Sequence, residues 1–133
     1  MRIKKEYKKE MTEQYQRVYA EVDLDAVLYN MEQMKKKLAP DTRMMGIIKA
    51  DGYGHGAVAI GRELEKLPYV FGYGVATAEE AFILRKAGLE KPNLILGYTF
   101  PYACEELNRQ EIRTEVFRED TLAEMAFCAE KHC

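Results

Sequence analysis

The chain is poor in cysteine and in long apolar runs, and both absences narrow its class. Its three cysteines, Cys104, Cys128 and Cys133, lack the spacing of disulfide or metal-ligand pairs. The spacing predicts no metal site and the odd number argues against a disulfide framework, so a reducing cytoplasm is the simplest compartment. The first sixteen residues contain no apolar stretch long enough for a signal peptide or a membrane span. Their mixed charges predict a solvated, partly helical leader over residues 1–16.

The balance of charge and the absence of nucleotide-binding motifs exclude two further classes of function. The net charge of −2 gives no electrostatic reason to expect a nucleic acid or a membrane as partner. The sequence has neither Gly-x-x-x-x-Gly-Lys nor a strand-linked Gly-x-Gly-x-x-Gly, so nucleotide binding is a poor interpretation of its glycines. A hydrophobic fraction of 47% with 32% charged residues is ordinary for a globular protein.

The pattern of apolar residues predicts strands and helices in alternation. After a first strand at 18–22, Asp23 or Asp25 is placed to cap a helix that Pro40 ends. Four strand–helix units follow, with strands at 44–49, 71–76, 93–98 and 113–117 and helices at 56–67, 77–86, 101–108 and from 120 onward. Thr77-x-x-Glu80 is a capping box at the start of the second of these helices. The alternation predicts a parallel sheet with crossover helices, and it leaves open whether the sheet is doubly wound or a barrel.

Lys49 is the strongest candidate in the sequence for a chemical role. The apolar run at 44–48 predicts a buried strand that delivers Lys49 to the edge of the turn Gly52-Tyr53-Gly54-His55-Gly56. The three glycines permit positive φ and a close approach of the backbone to a ligand. The alternative, from the residues alone, is a strand-end lysine that reaches solvent beside a turn that needs glycine only for its geometry.

The segment Ile47-Ile48-Lys49-Ala50-Asp51-Gly52-Tyr53-Gly54-His55-Gly56 resembles the cofactor-lysine signature of the alanine racemase family. The resemblance continues over further segments in family order: 19–27 with Asn30, 71–81, 85–88 and 93–97. They are similar to the opening strand and helix and to the second and third barrel units. Gly52 stands where many members have alanine. The similarity extends from about residue 17 to about residue 121.

The resemblance implies that pyridoxal 5′-phosphate is the cofactor and that Lys49 and Tyr53 bind it. In the family, the lysine amine condenses with the cofactor aldehyde, is displaced by substrate, and then exchanges a proton with the substrate Cα. The tyrosine of the motif bonds the cofactor phosphate. Asp51 is expected to organise the turn, and His55 is expected to have a structural and not a catalytic role. Tyr98 is placed by position alone to line the pocket. The second acid–base of the family is a tyrosine from the C-terminal domain of the other subunit of a homodimer.

The fold that the resemblance implies is a (β/α)8 barrel followed by a mainly β domain, and such a barrel alone needs about 250 residues. The expected organisation is a charged leader at 1–16 and, at 17–133, roughly the first half of the barrel, with the C-terminal β domain absent. The intact protein is expected to interconvert L- and D-alanine in the cytoplasm and to supply D-alanine for peptidoglycan. The 133-residue chain alone is expected to be inactive and to pack poorly as a monomer.

Two alternative functions remain at this point. Related barrels that racemise serine or other amino acids share the lysine motif, so the substrate is less secure than the reaction class. A non-catalytic carrier of pyridoxal phosphate on a single barrel is the other alternative. The Tyr-Gly-His-Gly sequence after Lys49 favours the racemase.

Overall fold

The computed structural model describes residues 2–4 and 19–130 of the chain. The described residues fall into two compact units, one within Met1–Ala39 and the other within Pro40–Cys133.

The first unit is a two-stranded sheet followed by one helix. Strand β1 (Arg2–Lys4) pairs antiparallel with β2 (Glu21–Asp23), and helix α1 (Leu24–Lys35) follows directly. The predicted cap of α1 is confirmed, because Asp23 Oδ1 accepts hydrogen bonds from the backbone N–H groups of Asp25 at 3.0 Å and Ala26 at 3.2 Å. The strand predicted at 18–22 is displaced, since β2 begins at Glu21. Residues 2–4 of the predicted leader form a strand, and the rest of the leader lies outside the described residues.

The second unit contains a parallel sheet whose strands are neighbours in chain order. The strands are β3 (Met44–Ile47), β4 (Val70–Val75), β5 (Asn93–Ile95) and β6 (Ile112–Thr114). Helical turn α2 (Lys49–Tyr53) and helices α3 (Ala57–Glu65), α4 (Ala78–Lys86), α5 (Cys104–Arg109) and α6 (Glu119–Glu130) alternate with them. The predicted α/β class is confirmed. A doubly wound sheet would reverse its strand order at a switch point, whereas the order β3-β4-β5-β6 is that of a partial (β/α)8 barrel.

The predicted ends of several elements are wrong by a few residues. The strand predicted at 93–98 ends at Ile95, because Gly97 turns the chain out of the sheet with φ of 147°. The strand predicted at 113–117 is β6, which begins one residue earlier and ends at Thr114. The helix predicted from Pro101 begins as a 3₁₀ turn at Pro101–Ala103 and becomes α-helical only in α5.

The core of the second unit lies between the sheet and its helices. Tyr73 and Val75 of β4 and Ile95 of β5 are completely buried. A side chain at Gly46 would place its Cβ 2.6 Å from Leu64 Cδ1, so glycine lets α3 pack closely on β3. The Tyr73 hydroxyl lies 3.0 Å from the Gly61 carbonyl oxygen of α3 and is also bonded to the Glu65 carboxylate. Burial raises the pKa of Tyr73 well above its ordinary range, and the bond to Glu65 raises it further.

Candidate active site

The loops that carry the candidate residues begin at one edge of the parallel sheet. Beyond the ends of the strands, pairing continues through Ile48 N–H to Gly74 O at 2.9 Å and Leu96 N–H to Val75 O at 2.8 Å. Lys49 comes immediately after Ile48, at the carboxyl end of β3. Sheets of this kind bind ligands at their carboxyl edge, so Lys49 stands where a ligand is expected.

Lys49 opens a helical turn of left-handed sense. In α2 the (φ, ψ) angles are (50°, 49°) at Ala50, (52°, 45°) at Asp51 and (63°, 39°) at Gly52. Positive φ continues at Tyr53 with 56° and at Gly54 with 84°. The sequence predicted positive φ for the glycines of this turn but not for its alanine, aspartate and tyrosine. Left-handed backbone costs L-residues about 1–2 kcal/mol each, so contacts around the turn must hold it in this form.

Asp51 and His55 bond the backbone of the turn and of the helix that follows. Asp51 Oδ1 accepts from Ala57 N–H at 2.9 Å, which ties the turn to the first residue of α3. His55 Nδ1 lies 3.1 Å from the carbonyl oxygens of Gly52 and of Tyr53, and the Nδ1–H tautomer donates there. These bonds agree with the turn-organising role predicted for Asp51 and with the structural role predicted for His55.

Glu80 joins the turn to the end of the neighbouring strand. Its Oε1 accepts from Ala50 N–H at 2.8 Å, and its Oε2 accepts from Ala76 N–H at 2.8 Å. We call this pair of hydrogen bonds the Glu80 bridge. Thr77 caps α4 as predicted, through Glu80 N–H to Thr77 Oγ1 at 3.3 Å. The predicted capping box is therefore only half formed, because the Glu80 carboxylate reaches across to α2 and to the end of β4.

Lys49 and Tyr53, the two candidate ligand-binding residues, lie side by side on the turn. Lys49 Nζ is 6.0 Å from the centroid of the Tyr53 ring. The Tyr53 side chain is 61% exposed, and apart from the two neighbours of Gly54 in the chain no atom lies within 4 Å of the position that a Cβ on Gly54 would occupy. A primary amine beside an accessible phenol matches a ligand that carries an aldehyde and a phosphate, because the amine condenses with the one and the phenol donates to the other.

Tyr98 belongs to a different group of side chains. Its ring packs edge to face against Phe100 at 5.0 Å and lies 6.4 Å from the Phe117 ring. Tyr102 stacks on Phe100 and donates a hydrogen bond to Glu79, which raises the pKa of Tyr102 and lowers the pKa of Glu79. The recorded ring contacts of Tyr98 are thus with these aromatic residues and not with Lys49 or Tyr53.

Sequence reasoning did not identify Glu80 as part of this site. The only signal for it was the Thr77-x-x-Glu80 spacing, which predicts a bond within its own helix. Its contact with Ala50 spans thirty residues of chain, and no local pattern encodes such a contact.

Two classes of feature are missing from the part of the chain that the structure describes. Across residues 2–4 and 19–130, no cluster of three or more His, Cys, Asp or Glu side chains is arranged to hold a metal ion. Over the same residues, no helix has the length and apolar character needed to cross a membrane.

Comparison with known proteins gives the same family at the levels of sequence and structure. Residues 22–133 match the model of the family described as alanine racemase, N-terminal domain. Alanine racemase 1 of Oceanobacillus iheyensis is 42% identical over 108 residues, which are 81% of this chain and 28% of that protein. An amino-acid racemase of Enterococcus faecalis is 35% identical over 106 residues, which are 80% of this chain and 15% of that protein.

Solved structures agree with this match. The alanine racemase of Clostridium difficile 630 superposes with a TM-score of 0.79 at 36% identity, over 82% of this chain and 28% of that one. The chain therefore spans less than a third of the length of the alanine racemases that it matches.

Proposed function

The chain belongs to the alanine racemase family, and from that premise we propose that the intact protein interconverts L- and D-alanine with pyridoxal 5′-phosphate held at Lys49. The observation that carries the proposal is the pairing of Lys49 with Tyr53 on a left-handed turn at the carboxyl edge of the sheet. When bound, the cofactor supplies an electron sink that makes the substrate Cα acidic.

Lys49 has two roles in this proposal. Its amine would hold the cofactor covalently, and the same amine would accept or donate a proton at the substrate Cα on one face. The amine must be neutral to condense with the cofactor aldehyde and to remove a proton from the substrate Cα.

Tyr53 holds the cofactor phosphate in this proposal. Its hydroxyl is a hydrogen-bond donor on an exposed side chain, four residues after Lys49, and the left-handed turn carries both residues. Two attachment points, one covalent and one at the phosphate, would restrict the movement of the cofactor relative to the sheet edge.

Inversion at Cα also requires an acid–base on the opposite face. We propose that a tyrosine from the C-terminal domain of a partner subunit supplies it in a homodimer. The relatives support this arrangement only because they are longer than this chain. The match covers 28% of the O. iheyensis enzyme. The organisation proposed for the sequence is therefore a leader at 1–16 and, at 17–133, the first part of the cofactor-binding barrel, and this portion alone is proposed to be inactive.

The cellular role that fits this reaction is the supply of D-alanine for peptidoglycan in the cytoplasm. Racemisation of another amino acid is the second candidate, and the 35% identity with an amino-acid racemase is the observation that supports it, against 42% with an alanine racemase. Turnover of L-alanine, L-serine and other L-amino acids by the intact protein separates the two candidates. If the protein binds the cofactor but turns over none of these amino acids, the non-catalytic carrier of pyridoxal phosphate is the remaining alternative.

Borohydride reduction in the presence of pyridoxal phosphate, followed by peptide mapping, tests the anchoring residue. We expect the pyridoxyl group on Lys49 and its loss in Lys49→Ala. Lys66→Ala is the matched control, because Lys66 is an exposed lysine paired with Glu63 at 2.7 Å and should leave labelling unchanged. A pyridoxyl group on another lysine, with Lys49 unmodified, would refute the assignment.

A further inference from the structure

We propose that Glu80 is a positioning residue for Lys49, an inference that rests on the proposed function. Glu80 lies in the first turn of α4, and its carboxylate accepts one backbone N–H on each oxygen. One N–H belongs to Ala50, the residue that follows Lys49, and the other belongs to Ala76 at the end of β4. The bridge therefore fixes the start of the left-handed turn relative to the neighbouring strand.

The Glu80 bridge is not needed to begin α4. Thr77 Oγ1 already accepts the Glu80 N–H, which is the usual cap for a helix that starts at Ala78. Glu79, its neighbour in the same turn, also carries a carboxylate, yet that carboxylate bonds to the exposed Tyr102. Of these two adjacent glutamates, only Glu80 is bonded to the turn that carries Lys49.

The bond to Ala50 acts on Lys49 through the peptide unit that the two residues share. Holding the Ala50 N–H fixes the plane of that peptide, and with it the ψ angle of Lys49 and the φ angle of Ala50. Ala50 is also the first residue of the turn with positive φ, a conformation that persists only when its surroundings enforce it. A hydrogen bond to a charged acceptor is stronger than one between neutral groups, so Glu80 is suited to enforce it.

The consequence concerns the direction of the Lys49 side chain. A side chain leaves its backbone in a direction that φ and ψ set, and an amine that must meet an aldehyde at a fixed place loses reactivity when that direction varies. Glu80 touches no reacting atom in this scheme and acts only through Ala50.

The test compares Glu80→Gln with Glu79→Gln in the intact protein. Glutamine keeps the size of the side chain, but it offers one acceptor oxygen and turns an NH₂ group toward the second N–H. We expect Glu80→Gln to raise the apparent Kd for pyridoxal phosphate, measured by borohydride capture at Lys49, at least tenfold. Glu79→Gln should leave it unchanged, and denaturant unfolding should show that both variants are folded.

A second readout does not depend on the cofactor. Amide hydrogen exchange at Ala50 should be slow in the unmodified protein and in Glu79→Gln, and faster in Glu80→Gln. Glu80→Asp keeps the charge but is one methylene too short to reach both amides, so it tests the positioning role if Glu80→Gln does not fold. Borohydride capture of pyridoxal phosphate at Lys49 should be weaker in Glu80→Asp than in the unmodified protein.

The positioning role would be overturned if folded Glu80→Gln and Glu80→Asp captured pyridoxal phosphate at Lys49 as well as the unmodified protein does. It would also be overturned if Glu79→Gln lost as much capture as Glu80→Gln. Both results would leave the proposed function in place. Failure of the unmodified protein to be labelled at Lys49 would overturn the proposed function and this inference with it.

Discussion

At the scale of single residues, Lys49 and Tyr53 lie together on the left-handed turn, and Glu80 accepts a hydrogen bond from the backbone beside Lys49. Lys49 and Tyr53 were predicted from their motif, and the structure brings them together with Nζ 6.0 Å from the ring centroid. Their roles toward a cofactor remain predictions. Glu80 was recognised only as a capping residue, because its bond to Ala50 depends on how α4 packs against α2, which no spacing along the chain reports.

Tyr53→Phe is expected to keep covalent capture at Lys49 and to weaken retention of the cofactor. The lost hydrogen bond to a charged phosphate is worth about 1.5–3 kcal/mol, roughly a tenfold to hundredfold change in Kd. Equilibrium titration with pyridoxal phosphate measures it. Tyr102→Phe is the control, because it removes the hydroxyl of a similarly exposed tyrosine and should leave the Kd for pyridoxal phosphate unchanged. An unchanged Kd in Tyr53→Phe would assign Tyr53 to packing.

Tyr73→Phe is expected to lower the free energy of unfolding by about 1.5–3 kcal/mol, because the buried hydroxyl is bonded to the Glu65 carboxylate. The pKa of Tyr73 is raised in the folded state, so the stability from its protonated phenol is complete below the unfolded pKa of about 10. That contribution is lost as pH rises above about 10 toward the folded value.

Urea unfolding at about pH 7, 9 and 11 measures this dependence. The difference between the unmodified protein and Tyr73→Phe should be equal at the two lower values and smaller at the highest. Tyr29→Phe is the control, since the Tyr29 side chain is 64% exposed. A difference that grows in alkali would contradict the assignment.

At the scale of elements, the strands and helices followed from periodicity, and the turn between β3 and α3 did not. Glycines at 52, 54 and 56 indicated positive φ, and all three have it. The same sign at Ala50, Asp51 and Tyr53 was not predicted, since alanine and tyrosine rarely adopt it and aspartate adopts it less readily than glycine. The Glu80 bridge and the Asp51 bond to α3 are two such constraints.

Gly52→Ala is expected to destabilise the protein more than Gly88→Ala. Both positions have positive φ, 63° and 82°, so each alanine carries left-handed strain of about 1–2 kcal/mol. A Cβ at Gly52 would also lie 3.2 Å from Ala57 N, whereas a Cβ at Gly88 would have no atom within 4 Å apart from those of its neighbours in the chain. Denaturant unfolding of the two variants measures the order, and a larger loss in Gly88→Ala would show that crowding against α3 is unimportant.

At the scale of the whole molecule, the parallel α/β class was predictable, and the order of strands was not. Strand–helix alternation is common to barrels and doubly wound sheets, and the resemblance alone selected the barrel. The order β3-β4-β5-β6 agrees with that selection. Periodicity reports which face of a strand is buried but not which strand lies beside it, so neighbour order requires either a family or a structure.

The 133-residue chain by itself is expected not to racemise alanine. The proposed reaction needs a second acid–base opposite Lys49, which the proposal assigns to the C-terminal domain of a partner subunit. Chiral analysis of D-alanine formed from L-alanine, with pyridoxal phosphate added, measures it. Racemisation clearly faster than with free cofactor, and abolished by Lys49→Ala, would show that these residues are a complete catalytic unit.

The left-handed turn has a consequence for mirror-image chemistry. The backbone angles at Ala50, (50°, 49°), are the reflection of ordinary helical angles, and a D-amino acid adopts them without the steric penalty that an L-amino acid meets. Chemical synthesis with D-alanine in place of L-alanine at Ala50 would therefore remove backbone strain of about 1–2 kcal/mol without changing the composition of the chain. The proposed reaction makes D-alanine from L-alanine, and D-alanine is the enantiomer whose backbone preference matches the angles at Ala50.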